Sequence, residues 1–186
     1  MAELNSIGLL ELSSVATGFL AQDAMLKSAP VDLLLGRTIC SGKYIVAVGG
    51  DVGAVTAAVD AGAAVATGAL IERRVIPHVH PSVFPAVSMA VDLPADQQGA
   101  LGVIETFSAS SIIEVADAAA KTADVRLLRV HLAMALGGKG FVLLTGDVAS
   151  VDAAVSAGCS VAAAEGILVG YAVIARPRRE LFREFV

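Results

Sequence analysis

Several residue types are scarce in this 186-residue sequence, which has no tryptophan, 4% aromatic residues, two cysteines and three histidines. Cys40 and Cys159 fall at unrelated places, so a disulfide framework is not expected. The net charge of −5 and the scattered basic residues argue against a nucleic-acid surface. Charged residues and glycines interrupt every long apolar run, and the N-terminus lacks the basic region of a secretory signal. We therefore expect a cytoplasmic protein without membrane spans.

Motifs of catalysis are also missing. The sequence contains no Gly-x-Ser-x-Gly, no Walker loop and no His-Glu-x-x-His. The run Gly49-Gly50-Asp51 leads into a predicted helix, but an acidic residue at a helix start repels phosphate, so it indicates a capped turn. We expect His78, His80 and His131 to pack or form hydrogen bonds rather than bind metal. These absences favour a protein that is not an enzyme.

The chain does contain an internal repeat, in which one sequence unit occurs twice. Residues 7–11 return at 101–105, and residues 42–62 return at 138–158, where 12 of 21 positions agree. The shift between the copies is 94 in the first case and 96 in the second, so the second copy has gained two residues in between. Such self-similarity is the signature of a duplicated and fused domain.

Each copy predicts the same order of elements, β-α-β-β-α-β. That order builds an antiparallel sheet with both helices on one face, an α/β fold of the α+β kind. The proline-rich residues 77–99 predict a linker with neither strand nor helix. We accordingly place the two domains at 1–90 and 91–186.

Two details of the first copy follow from its pattern. A helix over 18–29 is expected to turn Phe19, Leu26 and either Ala24 or Met25 inward. Two short strands, 31–35 and 43–48, are expected to form a hairpin joined by a loop over 36–42.

Features shared by both copies indicate symmetry more than catalysis. Glu11 and Glu105 occupy equivalent places, and we interpret them as structural hydrogen-bonding groups. Lys27 and Lys121 each follow an aspartate by four residues, a spacing typical of a surface ion pair on a helix. The positive mean hydropathy of so small a unit indicates that neighbouring subunits cover part of its apolar surface.

Cys40 breaks this symmetry, because the matching loop of the second copy has Gly137 and Gly138 and no thiol. One thiolate cannot hold a metal cluster. A three-fold oligomer, however, brings three copies of Cys40 together, and three thiolates can ligate three irons of a cubane.

The repeated motifs resemble the tandem-domain, trimeric shell proteins of bacterial microcompartments, over about residues 7–186. Within that family the chain is similar to the PduT type of propanediol-utilising compartments. The motifs that carry the similarity are Leu-Glu-Leu, Asp-Ala-Met-Leu-Lys-Ser-Ala, Val-Asp-Leu-Leu, Thr-Ile-Cys-x-Gly-Lys, His-Pro-Ser-Val and Arg-Val-His.

The resemblance implies a homotrimer that acts as a pseudo-hexameric tile, with the hairpin loops around a central pore. It places Cys40 on the three-fold axis as ligand of one 4Fe-4S cluster per trimer. Ser41 stands where that family has proline, and we expect a more mobile loop there. The implied residues of the pore loops are Ile39, Ser41, Gly42, Gly137 and Gly138.

The resemblance also implies which residues contact neighbouring tiles and which proteins are partners. Lys27, Lys121 and Arg176 are expected at the edges that contact other shell proteins, with His80-Pro81 in the place of Arg176-Pro177 in the first copy. Encapsulated redox enzymes are possible partners. The implied function is a structural tile whose cluster serves electron transfer or cluster exchange across the shell. Two alternatives are a tile with a plain solute pore and a metabolite-binding domain of ferredoxin-like topology.

Overall fold

The structure is a computed structural model that describes residues 4–92, 99–134 and 136–183. The chain divides into two compact units, Met1–Phe84 and Pro85–Val186. No helix in the described ranges is long and apolar enough to cross a membrane.

Both units contain the predicted β-α-β-β-α-β order. In the first unit the elements are β1 (Ser6–Leu12), α1 (Val15–Ser28), β2 (Asp32–Ile39), β3 (Lys43–Gly50), α2 (Val52–Val65) and β4 (Leu70–Ile76). The short helix α3 (Val83–Val87) follows and contains the boundary between the units. In the second they are β5 (Ala100–Thr106), α4 (Ser111–Thr122), β6 (Arg126–Leu132), β7 (Gly140–Gly146), α5 (Val148–Ala164), β8 (Leu168–Ile174) and α6 (Glu180–Arg183).

The strands of each unit form an antiparallel four-stranded sheet, in the order β2-β3-β1-β4 and β6-β7-β5-β8. Alternate residues of the central strands face the two long helices. In the first unit Leu10 and Val46 of the sheet share one core cluster with Met25 of α1 and Val59 of α2. The predicted fold class, with both helices on one face of an antiparallel sheet, is confirmed.

Strand register shows where the second copy has more residues than the first. The two residues inferred from the sequence lie between β6 and β7. Two more lie later in the chain, because Ile7 pairs with Ile76 whereas its counterpart Leu101 pairs with Ile174, a shift of 98. Helix α5 has 17 residues and α2 has 14, while the turn that follows is one residue shorter in the second copy (165–167 against 66–69), which together give the net gain of two.

The inward face of α1 was predicted wrongly in part. Met25 is buried as expected, together with Gly18 and Ala21, but Phe19 is 60% exposed and Leu26 is 38% exposed. The rotation of the helix is set by Gly18, where a Cβ atom would lie 2.4 Å from the ring of Tyr44. Only a glycine lets α1 approach β3 so closely.

The predicted loop over 36–42 is also wrong, because β2 continues through Gly36 to Ile39. Gly36 stays in the strand, paired with Val46. A side chain there would meet Gln22 Oε1, which accepts a hydrogen bond from the hydroxyl of Tyr44. Glycine in this strand therefore marks a close approach rather than a turn.

The predicted linker over 77–99 contains a helix after all. Phe84 in α3 is buried, and it lies near Gly49 on the sheet face opposite α1 and α2. At the shift of 98, its counterpart is Phe182 of α6, which packs on Leu101 and Leu143 in the second unit. The repeat therefore extends past the last strand of each copy.

Candidate functional site: the two hairpin turns

The first hairpin turn holds the asymmetric cysteine. Ile39 pairs with Lys43, so three residues, Cys40–Gly42, connect β2 to β3. Ile39 is buried and Cys40 is half-buried. A turn this short, between two paired strands, fixes the position of the Cys40 thiol relative to the sheet.

Two left-handed residues close the turn, with φ values of 64° at Ser41 and 72° at Gly42. Glycine adopts this region freely, whereas serine is disfavoured there by its Cβ. The proline ring locks φ near −65°, so a proline at position 41 is incompatible with this conformation. The turn is therefore built differently from one that carries the proline expected from the family.

The second hairpin turn is wider and lacks a thiol. The last backbone bond before it runs from Ala133 N–H to the carbonyl of Lys139, at 3.1 Å. Gly137 and Gly138 have φ values of 64° and 95°, and a Cβ at either would meet no atom within 4 Å. This turn consequently presents backbone where the first presents sulfur and a hydroxyl.

A buried histidine braces the second turn. His131 Nε2 lies 2.8 Å from the carbonyl oxygen of Met134, and the imidazole stacks on Phe141 with ring centroids 4.8 Å apart. In the linker, His80 Nδ1 lies 2.8 Å from Ser82 Oγ. Both histidines pack or form hydrogen bonds, as predicted.

An ion pair stands at the base of each turn. Lys43 Nζ lies 2.7 Å from Glu11 Oε1, and Lys139 Nζ lies 3.1 Å from Glu105 Oε1. The structural role predicted for the two glutamates is thereby confirmed. The lysine partners were missed, although they recur at the same shift of 96 as the rest of the hairpin.

The predicted edge lysines lie on the surface of equivalent helices. Lys27 and Lys121 each approach the aspartate four residues earlier, at 2.6 Å in both cases. This is the ion pair that the spacing predicts. The positive charge of each lysine is therefore partly balanced by an aspartate of the same chain.

Arg176 is exposed directly after β8. Because β4 and β8 correspond at a shift of 98, its counterpart is His78, which is exposed and has a φ of 55°. The assignment of His80-Pro81 to this place was wrong, since it applied the shift of 96 beyond α5. His78 is the residue that the first copy offers there.

Cys159 occupies a different environment from Cys40. It is half-buried in a groove between α5 and β8, beside Tyr171. Burial raises the pKa of the Cys159 thiol. A thiol is a ligand as thiolate, so Cys159 is a poor candidate for binding metal.

Neither cysteine forms a disulfide. Within the described residues of one chain, no three or more histidine, cysteine or acidic side chains gather in a way that could hold a metal ion. Among the described residues of the two hairpin turns, Cys40 is the one cysteine, histidine or acidic side chain.

Comparison with known proteins identifies the fold. The family model for the BMC domain matches twice, over residues 6–79 and 100–177. The chain belongs to the BMC-domain family of bacterial microcompartment shell proteins. The two matches end shortly after β4 and β8, so each covers the six main elements of one copy and stops before α3 or α6.

Relatives of this shell protein include tandem and single-domain members. It is 44% identical to the bacterial microcompartment shell protein PduT of Citrobacter freundii, over 97% of each chain. It is 46% identical to PduA of the same organism, over 40% of this chain and 83% of PduA. A crystal structure of a microcompartment protein from Desulfitobacterium hafniense superposes with a TM-score of 0.93 at 48% identity, covering 97% of this chain and 99% of that one.

These likenesses confirm the resemblance read from the motifs. The shell protein is a structural component of a bacterial microcompartment, and the 77 residues of it that match PduA cover 83% of that protein.

Proposed function

We propose that three copies of this shell protein form a flat tile in which the six hairpin turns surround one pore. In this tile the three Cys40 thiolates bind a 4Fe-4S cluster that serves electron transfer or cluster exchange across the shell. The observation that carries the proposal is the contrast between the two turns. Only the turn of the first copy carries a thiol, at a position set by its three residues.

Ligand number supports the trimer. A 4Fe-4S cluster is held by thiolates, one to each iron, and three copies of Cys40 supply three of them. The fourth iron is then open to another ligand. Since one described chain holds no metal-binding group of its own, sharing among chains gives Cys40 the partners that a cluster needs.

The residues around Cys40 suit this role. Ser41 and Gly42 are small and exposed, so they leave room beside the thiol on the axis. Gly137 and Gly138 of the other copy add no side chain to the ring. Lys43, the first residue after the turn, is paired with Glu11 and holds the end of the turn in place. When bound, the cluster would supply one-electron chemistry.

Iron and sulfide analysis of anaerobically prepared protein tests the cluster. We expect about four irons per trimer in the wild type and in Cys159→Ser, and none in Cys40→Ser. All three proteins should have the mass of a trimer by light scattering, about 56 kDa or three times 18.8 kDa. Cys159→Ser is the matched control, because it removes the other thiol.

Iron-free wild type after anaerobic reconstitution would reject the cluster and leave a tile with a plain solute pore. Iron retained in Cys40→Ser would reject the ligand assignment. A wild type that stays monomeric would reject the tile itself.

We also propose that Lys27, Lys121 and Arg176 contact neighbouring tiles, including those of other shell proteins. All three are exposed, and the two lysines stand at equivalent places, as edges with six-fold geometry require. Electron microscopy of the overexpressed protein should show sheets or tubes. The double variant Lys27→Ala, Lys121→Ala should leave dispersed trimers. Arg73→Ala is the control, because it also removes an exposed cation that is paired with an aspartate, and it should still form sheets.

A further inference from the structure

Ser41 supplies the single hydroxyl of the two hairpin turns, because residues 40–42 and 133–138 contain no other serine, threonine or tyrosine. It directly follows Cys40 in the chain and is exposed. Its hydroxyl makes no hydrogen bond to any residue that the structure describes. Each thiol of a three-fold ring would therefore have an uncommitted hydrogen-bond donor one residue away.

The backbone of Ser41 is unfavourable for a residue that has a Cβ atom. Its φ of 64° and ψ of 29° lie in the left-handed region, which the second turn fills with Gly137 and Gly138. Glycine would occupy position 41 at a lower conformational cost. What serine adds over glycine is the CH₂–OH group, so a role for the hydroxyl accounts for a strained residue at this place.

The same conformation allows the hydroxyl to lie on the side of the turn that carries the thiol. In an extended strand, consecutive side chains point to opposite faces of the sheet. A residue in a helical region ends this alternation, because the chain there turns by about 100° per residue rather than about 180°. Cys40 and Ser41 are therefore not held on opposite faces, as consecutive residues within β2 or β3 are.

Resting on the cluster proposed above, we infer that the Ser41 hydroxyl donates a hydrogen bond to the sulfur of a cluster-bound Cys40 and thereby raises the reduction potential. Hydrogen bonds to the sulfurs are among the factors that set the potential of an iron–sulfur cluster. Each such bond offsets part of the negative charge on sulfur, so it stabilises the reduced, more negative state more than the oxidised state. Ser41 is thus a tuning residue and not a ligand.

The other side-chain donor at this turn is already engaged. Between Ile39 and Lys43, that donor is the ammonium of Lys43 itself, which lies 2.7 Å from Glu11 Oε1. In the second turn, Gly137 and Gly138 contribute backbone alone. The Ser41 hydroxyl is consequently the side-chain donor that these segments leave for sulfur.

An EPR-monitored redox titration with dithionite, on anaerobically reconstituted protein, tests the inference. Ser41→Gly removes the hydroxyl and relieves the backbone penalty, so this variant should fold and form trimers as the wild type does. We expect it to bind the electron about tenfold more weakly, which lowers the midpoint potential by about 59 mV. A purely structural role of Ser41 would leave the potential unchanged, because glycine suits the turn better than serine.

Ser41→Asn is the matched rescue variant. Asparagine enters the left-handed region more readily than most residues, and its amide is a hydrogen-bond donor. We expect its midpoint potential to return towards that of the wild type. Resonance Raman spectra in H₂O and D₂O give an independent reading. The iron–sulfur stretching bands of the wild type should shift on deuteration, and the shift should be smaller in Ser41→Gly, which lacks the exchangeable hydroxyl proton.

Equal midpoint potentials in the wild type and Ser41→Gly would overturn the inference while the cluster itself stands. A Ser41→Asn potential as low as that of Ser41→Gly would assign the change to the backbone of the turn, and that outcome also overturns it. So would a trimeric Ser41→Gly without iron, since Ser41 would then hold the cluster instead of tuning it. A wild type that binds no iron rejects the proposed cluster, and the inference with it, so the two failures are distinguishable.

Discussion

The ammonium of Lys43 lies 2.7 Å from Glu11, whose side chain is only 10% exposed. The equivalent pair in the second copy, Lys139 and Glu105, is longer at 3.1 Å and its glutamate is 34% exposed. The two lysines are similarly exposed, at 34% and 36%, so the pairs differ in the glutamate, which is largely buried under the Cys40 turn and half-exposed under the glycine turn. Loss of the Lys43–Glu11 pair should therefore lower the stability of the fold more than loss of the Lys139–Glu105 pair.

Lys43→Met should lower the free energy of unfolding by about 1–3 kcal/mol, because it leaves the Glu11 carboxylate buried without its partner. Lys139→Met is the matched control and should cost less than about 1 kcal/mol, as exposed pairs do. Urea unfolding of both variants measures the difference. Equal costs would contradict the role of burial.

The left-handed conformation of Ser41 predicts opposite effects of two substitutions. Ser41→Gly should stabilise the protein by up to about 1 kcal/mol, because glycine adopts a positive φ without a steric penalty. Ser41→Pro should destabilise it by more than about 1 kcal/mol, because proline cannot adopt that φ. Thermal unfolding distinguishes the two. If Ser41→Pro is the more stable variant, the turn does not have this conformation in solution.

Close packing of α1 on Tyr44 makes Gly18 sensitive to a single methyl group. A Cβ at Gly18 would lie 2.4 Å from the tyrosine ring, so Gly18→Ala should cost about 1–3 kcal/mol through overpacking. Gly53→Ala, at an exposed helical glycine, should instead stabilise by about 0.5–1 kcal/mol through helix propensity. Denaturant unfolding of the pair is the measurement, and a neutral Gly18→Ala would show that the helix can shift.

The cap of α5 predicts a pH-dependent contribution to stability. Hydrogen bonds from the hydroxyl and the backbone N–H of Ser150 lower the pKa of Asp147 below its ordinary value. Since the folded-state pKa is the lower one, the stabilisation is present above the ordinary carboxyl pKa and is lost as the pH falls through the folded-state value. Asp147→Ala should therefore lower Tm at neutral pH, and its difference from wild type should shrink in acid.

The matched control is Asp51→Ala, which removes the equivalent cap of α2. Ala54 stands there in place of Ser150, so Asp51 accepts the backbone N–H of residue 54 but has no hydroxyl at that position to bond. Ser150→Ala should remove part of the pH dependence of the Asp147 cap. A difference between Asp147→Ala and wild type that stays constant down to acid pH would contradict this account.

Most of the fold could be predicted because both copies show the same hydrophobic periodicity. An element assigned in one copy can therefore be compared with the same element in the other. The hairpin in the first copy was nevertheless misplaced, since Gly36 was interpreted as a turn residue. In the structure it pairs with Val46 inside the sheet, where Gln22 and Tyr44 leave no room for a side chain. A contact between residues that far apart in sequence leaves no local signal.

Cys40 and the edge residues Lys27, Lys121 and Arg176 were named from the sequence, and the structure adds the geometry around them. The assignment of His80 to the edge failed for a physical reason: α5 is longer than α2, so the shift between the copies changes again. Strand register alone reveals that His78 is the counterpart of Arg176.

By itself, the sequence determined that this chain is a duplicated β-α-β-β-α-β domain, because the repeat, the caps and the hydrophobic periodicity are local properties. The shell-protein family was indicated by the resemblance of its motifs. It also singled out Cys40, since one copy can be compared with the other position by position. Only the tertiary structure decided that Phe19 is exposed while its counterpart in the second copy, Ile113, is buried. Such a difference depends on how helices and sheets approach each other in space, which the periodicity of a single helix or strand does not determine.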